Sequence, residues 1–207
     1  IRAMKVYDIT EIRNLGLVGH GPSGTTSLAA SLLFSSGTVN RLGKVDQGTT
    51  VTDFDEEEIA RKVSISSALC HLEWKKAKLN VIDTPGYGAF IADAKASLRV
   101  ADGAVVVVDG VAGVEVQTEE AWGFAQEFDL PRLIVINKLD RENASFERAL
   151  QSVTAAFGRQ AIPIQIPIGS EKSFSGMVDL VTGKAYEYQA DESGKHQIVA
   201  PPAGLKE

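Results

Sequence analysis

A glycine-rich run, Gly19-His20-Gly21-Pro22-Ser23-Gly24-Thr25-Thr26, follows the apolar segment Leu15-Gly16-Leu17-Val18 and precedes a helix-forming stretch. Glycines at 19, 21 and 24 let successive backbone N–H groups converge on an anion at the start of a helix, where the macrodipole adds favourable potential. The spacing is that of the phosphate loop G-x-x-x-x-G-K-[ST] at every position but one, because Thr25 stands where that pattern has lysine. Thr26 is placed to offer its hydroxyl to a magnesium ion. His20 lies inside the run, but in such loops the backbone does the binding, so its side chain is expected to fold against the turn.

Two further turns carry complementary chemistry. Asp83-Thr84-Pro85-Gly86 follows the run Lys78–Ile82, which puts a carboxylate within reach of magnesium through water and a glycine N–H within reach of a terminal phosphate. Asn137-Lys138-Leu139-Asp140 follows Leu133–Ile136; an aspartate there can accept two hydrogen bonds from N1 and N2 of guanine, an edge that adenine lacks. Lys138 can lay its methylene stem along the ring. Any one of these motifs is also what an ordinary turn looks like. Together, in fixed order and each suited to a different part of one molecule, they point to GTP or GDP with Mg2+.

The elements that must position them read as α/β. Short β-rich runs at Asn14–Val18, Ser64–Leu72, Lys78–Ile82, Ala104–Val108, Leu133–Ile136 and Ile164–Ile166 alternate with helical spacing. Leu28 and Leu32 share one face, Ala121, Ala125 and Phe128 another, and Phe146, Leu150, Val153 and Phe157 a third. The runs at 64–72 and 78–82, separated only around Lys75-Lys76, predict a hairpin. The expected fold is therefore a P-loop NTPase-type, mostly parallel sheet with one antiparallel edge strand and helices on both faces. Residues 37–61 form a long connection without clear period, of the kind that is functional or mobile. Beyond Pro163 and Pro167 short strands such as Met177–Val181 and Ala185–Tyr188 predict a small β-rich unit, so the expected division is 1–160 and 161–207.

Composition narrows the class. Apolar residues at 44% and charged residues at 23% of 207 suit one folded domain with a small appendage. A net charge of -6 repels nucleic acid in bulk, so DNA is not an expected partner. One cysteine and three histidines offer no Cys/His metal spacing. The apolar runs are far shorter than the roughly 20 residues of a membrane-spanning helix, and no secretory signal is evident, so the cytoplasm is the expected compartment. Met4 suggests that residues 1–3 lie upstream of the natural start.

On these motifs the chain resembles the elongation factor G family, and within it the divergent second elongation factors. The likeness also runs through Arg99-Val100-Ala101-Asp102-Gly103-Ala104, Gly113-Val114-Glu115-Val116-Gln117-Thr118-Glu119, Asn137-Lys138-Leu139-Asp140-Arg141, and Pro167-Ile168-Gly169 with Val178-Asp179-Leu180 and Lys184-Ala185-Tyr186, a group that resembles the family's inserted subdomain. The resemblance implies a first switch over Gly37–Val63, a second opening at Asp83–Phe90, a ribosome partner, and four further domains after Glu207. It implies that Ser64 replaces a magnesium-reaching threonine and Lys62 a glycine. It places Tyr87 where a histidine commonly positions the attacking water, beside Gly86, and Ala89 where aspartate is usual. The family's fifth guanine-contacting loop has no counterpart here. Because Thr25 cannot supply an ammonium, two outcomes stand: a translational GTPase with impaired hydrolysis, or a non-hydrolysing pseudo-GTPase that serves as a ribosome-binding or regulatory module.

Overall fold

In the computed structural model, which describes residues 5–189, 191 and 193–202, strand β1 (Ile12–Gly19) is the organising element. Its neighbours Leu17 and Val18 point to opposite faces, as successive strand residues must, and both are almost completely buried. Val18 packs with Ala104 and Val106 of β4 (Gly103–Asp109), Ala94 and Leu98 of α3 (Ile91–Leu98), and Ala121 and Ala125 of α4 (Val116–Glu127). Leu17 packs with Ala29 and Leu33 of α1 (Thr25–Ser35), Cys70 and Leu72 of β2 (Ala68–Trp74), and Val81 of β3 (Ala77–Asp83). The sheet therefore has helices on both faces. Gly16 makes room for α3: a Cβ there would lie 2.7 Å from Leu98 Cδ2.

Strand order is β2-β3-β1-β4-β5, with β5 at Arg132–Asn137. β1 pairs in parallel with β3 and β4, while β2 and β3 form the expected hairpin, pairing Trp74 with Ala77 across a turn that holds Lys75 at φ 55°. The mostly parallel sheet with one antiparallel edge is thus what the chain forms.

Several elements depart from expectation. β2 begins at Ala68 and not at Ser64, because the amides of Ile65 and Ser66 donate to Glu58 Oε1 (2.8 and 3.1 Å) instead of a ladder. Glu58 belongs to α2 (Glu56–Arg61), a short helix inside the supposedly periodless 37–61 connection. Its signal was an end signal: Asp55 caps Glu57 N at 2.8 Å and Glu58 reaches back toward Asp55 N, a capping box. Lys62 then closes the helix in the left-handed region at φ 56°, a conformation that favours glycine. Helix α3 is a further element that the spacing of apolar residues does not announce. Because Glu58 is 3% exposed and serves two otherwise solitary amides, Glu58→Ala should lower the unfolding free energy by about 2–4 kcal/mol, read as a fall in denaturant midpoint at constant slope.

Packing divides the chain into two compact units, residues up to 107 with 115–135, and residues 108–114 with those from 136 on. The second contains α5 (Phe146–Phe157), which buries Ala149 and Val153 and is capped by Ser145 accepting from Arg148 N. It also contains an antiparallel sheet β6-β7-β8-β9, formed by Gln165–Ile168, Gly176–Asp179, Lys184–Tyr188 and His196–Val199. The run at 164–166 belongs to this sheet, and β9 is an addition to the expected strands. β7 stops at Asp179, whose Oδ1 accepts from Val181 N and Thr182 N and turns the chain. Residues 1–4 and 203–207, about which the sequence raised a start and an open end, lie outside the described residues.

Candidate functional site

In the first unit, β1 delivers Gly19 into a short turn at Gly21–Ser23, and Gly24 at φ 99° turns the chain into α1, whose first residues are Thr25 and Thr26. That φ is open to glycine and strained for other residues. Ser23, Thr25 and Thr26 are buried, while Pro22 is exposed. His20 does more than fold against its turn: its Nε2 lies 3.4 Å from Glu115 Oε1, at the N-cap of α4.

Thr26 meets the loop that precedes β2. Its Oγ1 is 3.0 Å from Ser64 Oγ, and Ser64 donates to Asp53 Oδ1 at 2.8 Å, so the Thr26 hydroxyl donates to Ser64. Thr52, next along, donates to Asp83 Oδ2 at 2.7 Å. Asp53 and Thr52, 4% exposed each, escaped the sequence reading; their only signal was a place in an acidic loop. Thr84 anchors the turn that follows, its hydroxyl donating to the Leu17 carbonyl at 2.7 Å.

Burial pushes the Asp83 carboxyl up to about 6 from the usual 3.8, with the Thr52 hydroxyl opposing. Burial also raises Asp53, against its bond from Ser64. A carboxyl whose folded pKa is raised binds its proton more tightly in the folded state. Its contribution to stability is therefore complete below pH 4 and lost as pH rises through about 6, a loss of about 3 kcal/mol. Asp83→Asn should flatten most of the pH dependence of nucleotide-free, metal-free stability between pH 4 and 7. Melting curves across that range test it, and an unaltered pH profile would place the titration elsewhere.

Asp83 Oδ1 is buried without a hydrogen-bond partner among the described residues. With the adjacent hydroxyls of Thr26 and Ser64 and the Asp53 carboxylate, it makes a set of hard oxygen donors that fits a magnesium ion.

The Asp83–Phe90 segment lies on the phosphate loop. A Cβ on Gly86 would sit 2.6 Å from the Gly19 carbonyl oxygen and 2.7 Å from Gly21 N, so only glycine permits this approach. Tyr87, 41% exposed, rests its ring on Gly21, where a Cβ would come within 2.5–2.8 Å of three ring atoms.

In the second unit, Asn137 ends β5 and Lys138 turns in the left-handed region at φ 60°. Lys138 Nζ pairs with Asp109 Oδ2 at 2.9 Å. Asp109 closes its own turn, Oδ1 accepting from Val111 N (2.8 Å) and Ala112 N (3.2 Å). Leu139 is half-buried and Asp140 exposed. The structure thus brings Thr26, Ser64 and the Gly86-Tyr87 turn to the phosphate loop, and sets Asn137 to Asp140 on the second unit.

A phosphate loop between strand and helix, a carboxylate-to-glycine turn ending a parallel strand and an N-K-x-D turn after another define the P-loop GTP-binding class of α/β proteins. The chain belongs to the elongation factor Tu GTP binding domain family, which it matches over residues 10–200. Elongation factor G of Mycoplasma pneumoniae is 38% identical over 203 residues, covering 98% of this chain and 30% of the relative. Elongation factor G of Petrotoga mobilis is 43% identical over 191 residues, 92% of this chain and 27% of the relative. A crystal structure of a Thermus thermophilus protein superposes with a TM-score of 0.87 at 34% identity, over 94% of this chain and 29% of that one. The chain therefore spans less than a third of the length of these relatives. No helix of the described residues is long and apolar enough to cross a membrane.

Proposed function

We propose that this chain is the guanine-nucleotide-binding domain of an elongation factor G-like translational GTPase, with residues 1–160 as the GTP-binding domain and 161–207 as part of an inserted subdomain. The whole protein acts on the ribosome in the cytoplasm. The observation that carries the reading is the meeting of Thr26, Ser64 and Asp53 beside the buried Asp83, in a chain whose β5 ends in Asn137-Lys138-Leu139-Asp140. Residues Gly19 to Thr26 hold the phosphates through backbone N–H groups and the α1 dipole. Thr26 and Ser64 would hold Mg2+ directly and Asp83 through water, and the ion when bound would supply positive charge against the negative charge developing on the phosphates. The Gly86 N–H donates to the terminal phosphate, and the Tyr87 phenol orients the attacking water.

The second reading, a pseudo-GTPase, draws on Thr25: a neutral side chain, 6% exposed, occupies the lysine position. One experiment separates them. The full-length protein is titrated with GTP and GDP in the presence of Mg2+, then assayed for ribosome-stimulated phosphate release. Binding with release supports the GTPase, binding without release the pseudo-GTPase, and no binding at millimolar nucleotide overturns the GTPase reading.

A further inference from the structure

Among the described residues of the second unit, three non-glycine residues occupy the left-handed region: Lys138 at φ 60°, Asn143 at 64° and Glu171 at 49°. Each is disfavoured relative to a right-handed conformation, and such residues persist where their surroundings over-determine them. All three fall on one segment and its supports. Lys138 and Asn143 bracket the turn that carries Leu139 and Asp140. Glu171 lies just beyond β6, at the start of the turn before β7.

Two acidic residues grip this segment from either side. Asp109 spends Oδ1 on its own turn and Oδ2 on Lys138 Nζ. The neighbouring residue reinforces the contact: Gly110 N donates to the Asn137 carbonyl at 2.8 Å, and Ser145 N donates to the Gly110 carbonyl at 3.0 Å. A Cβ at Gly110 would fall 2.8 Å from the Asn137 oxygen. Glu171 holds the other side twice, its N–H donating to the Leu139 carbonyl at 2.9 Å and its Oε1 accepting from Asn143 N at 2.7 Å. Arg148 closes the far end through the Asn143 carbonyl.

We propose that Asp109 and Glu171 are positioning residues for guanine recognition: they hold Asn137 to Asn143 in the strained conformation that presents Asp140 to the base. The inference rests on the guanine-nucleotide reading above. It makes the segment after β6 a working part of the nucleotide-binding domain as well as the start of a small sheet. The low exposure of the Lys138–Asp109 pair, 27% and 11% for the side chains, sets it apart from solvated surface pairs. Partial burial opposes ionisation of Asp109, but the Lys138 ammonium and the Val111 and Ala112 amides together outweigh it and hold the carboxyl below its usual range. The grip is therefore not expected to vary near neutral pH.

The test uses the full-length protein and GDP with Mg2+. In Asp109→Asn the amide oxygen can still accept from Val111 and Ala112, so the turn stays while the charge pairing with Lys138 goes. GDP affinity should fall about tenfold, with the nucleotide-free melting temperature unchanged. Glu171→Ala should weaken GDP about fivefold or more, and Glu171→Gln, which keeps an acceptor for Asn143 N, should recover most of that loss. In a Lys138→Met background, Asp109→Asn should have little further effect, the sign of residues acting through one contact. Binding of GDP by Asp109→Asn and Glu171→Ala within twofold of wild type overturns the inference alone. A loss of affinity matched by a loss of nucleotide-free stability overturns it in favour of a folding role. If wild type itself does not bind GDP, the guanine-nucleotide reading falls and the inference with it.

Discussion

Asp140→Asn should weaken GDP binding by at least a hundredfold and admit xanthine nucleotides. A carboxylate facing N1–H and the N2 amino group of guanine makes two charge-assisted hydrogen bonds, each worth about 1.5–3 kcal/mol. Asparagine keeps a neutral acceptor for N1–H but loses the bond to N2 and the charge assistance on both, at about 3–4 kcal/mol, or roughly 10^2 to 10^3 in affinity. The asparagine NH2 adds a second penalty, because it meets the guanine amino group donor to donor. Xanthine carries a carbonyl where guanine has that amino group, so the same NH2 finds an acceptor. Asp140 is exposed in this structure, so the substitution should leave the fold intact. The measurement is a pair of dissociation constants, for GDP and for XDP, on wild type and variant. Unchanged GDP affinity in the variant would remove Asp140 from base recognition.

What could be read from sequence, and what could not, follows from how far apart the partners are. The phosphate loop was legible because glycine spacing and a strand-to-helix switch are local, and the structure places Gly24 in the left-handed turn that spacing requires. The β2–β3 hairpin was legible for the same reason. The contacts of the loop before β2 were not: Thr52 finds Asp83 31 residues away and Ser64 finds Thr26 38 residues away, and neither pairing leaves a local period. Helix α2 hid because six residues are too few to show amphipathic spacing, so only its capping box at Asp55 and Glu58 marked it. Glu171 looked like one charge among many in a loop, because its partners at Leu139 and Asn143 come from before α5. The burial of Cys70, whose thiol is pushed up to about 11, was equally invisible, and it makes that cysteine a core residue without nucleophilic character.

Thr25→Lys is the substitution on which the choice between GTPase and pseudo-GTPase turns, and it should raise GTP affinity about tenfold to a hundredfold. An ammonium bridging the terminal phosphates makes charge-assisted bonds worth about 1.5–3 kcal/mol that a hydroxyl cannot replace. The position imposes a condition on that gain. Thr25 is the first residue of α1, directly after Gly24, 6% exposed, and close enough to act on the Asp83 carboxyl. Without nucleotide, a lysine there must bury its charge or pair it with Asp83, pulling that carboxyl back down from about 6. The nucleotide-free variant should therefore lose the Asp83-linked fall in stability between pH 4 and 6, and its affinity gain should be larger for GTP than for GDP. If the phosphates are already neutralised by another group, the variant binds GTP no better than wild type, and the threonine is a compensated substitution in a working GTPase. If affinity rises while phosphate release on the ribosome stays absent, the missing charge was not the only obstacle, and the Tyr87 phenol resting on Gly21 becomes the next group to alter. If both rise together, a single buried hydroxyl separates nucleotide binding from hydrolysis in this domain.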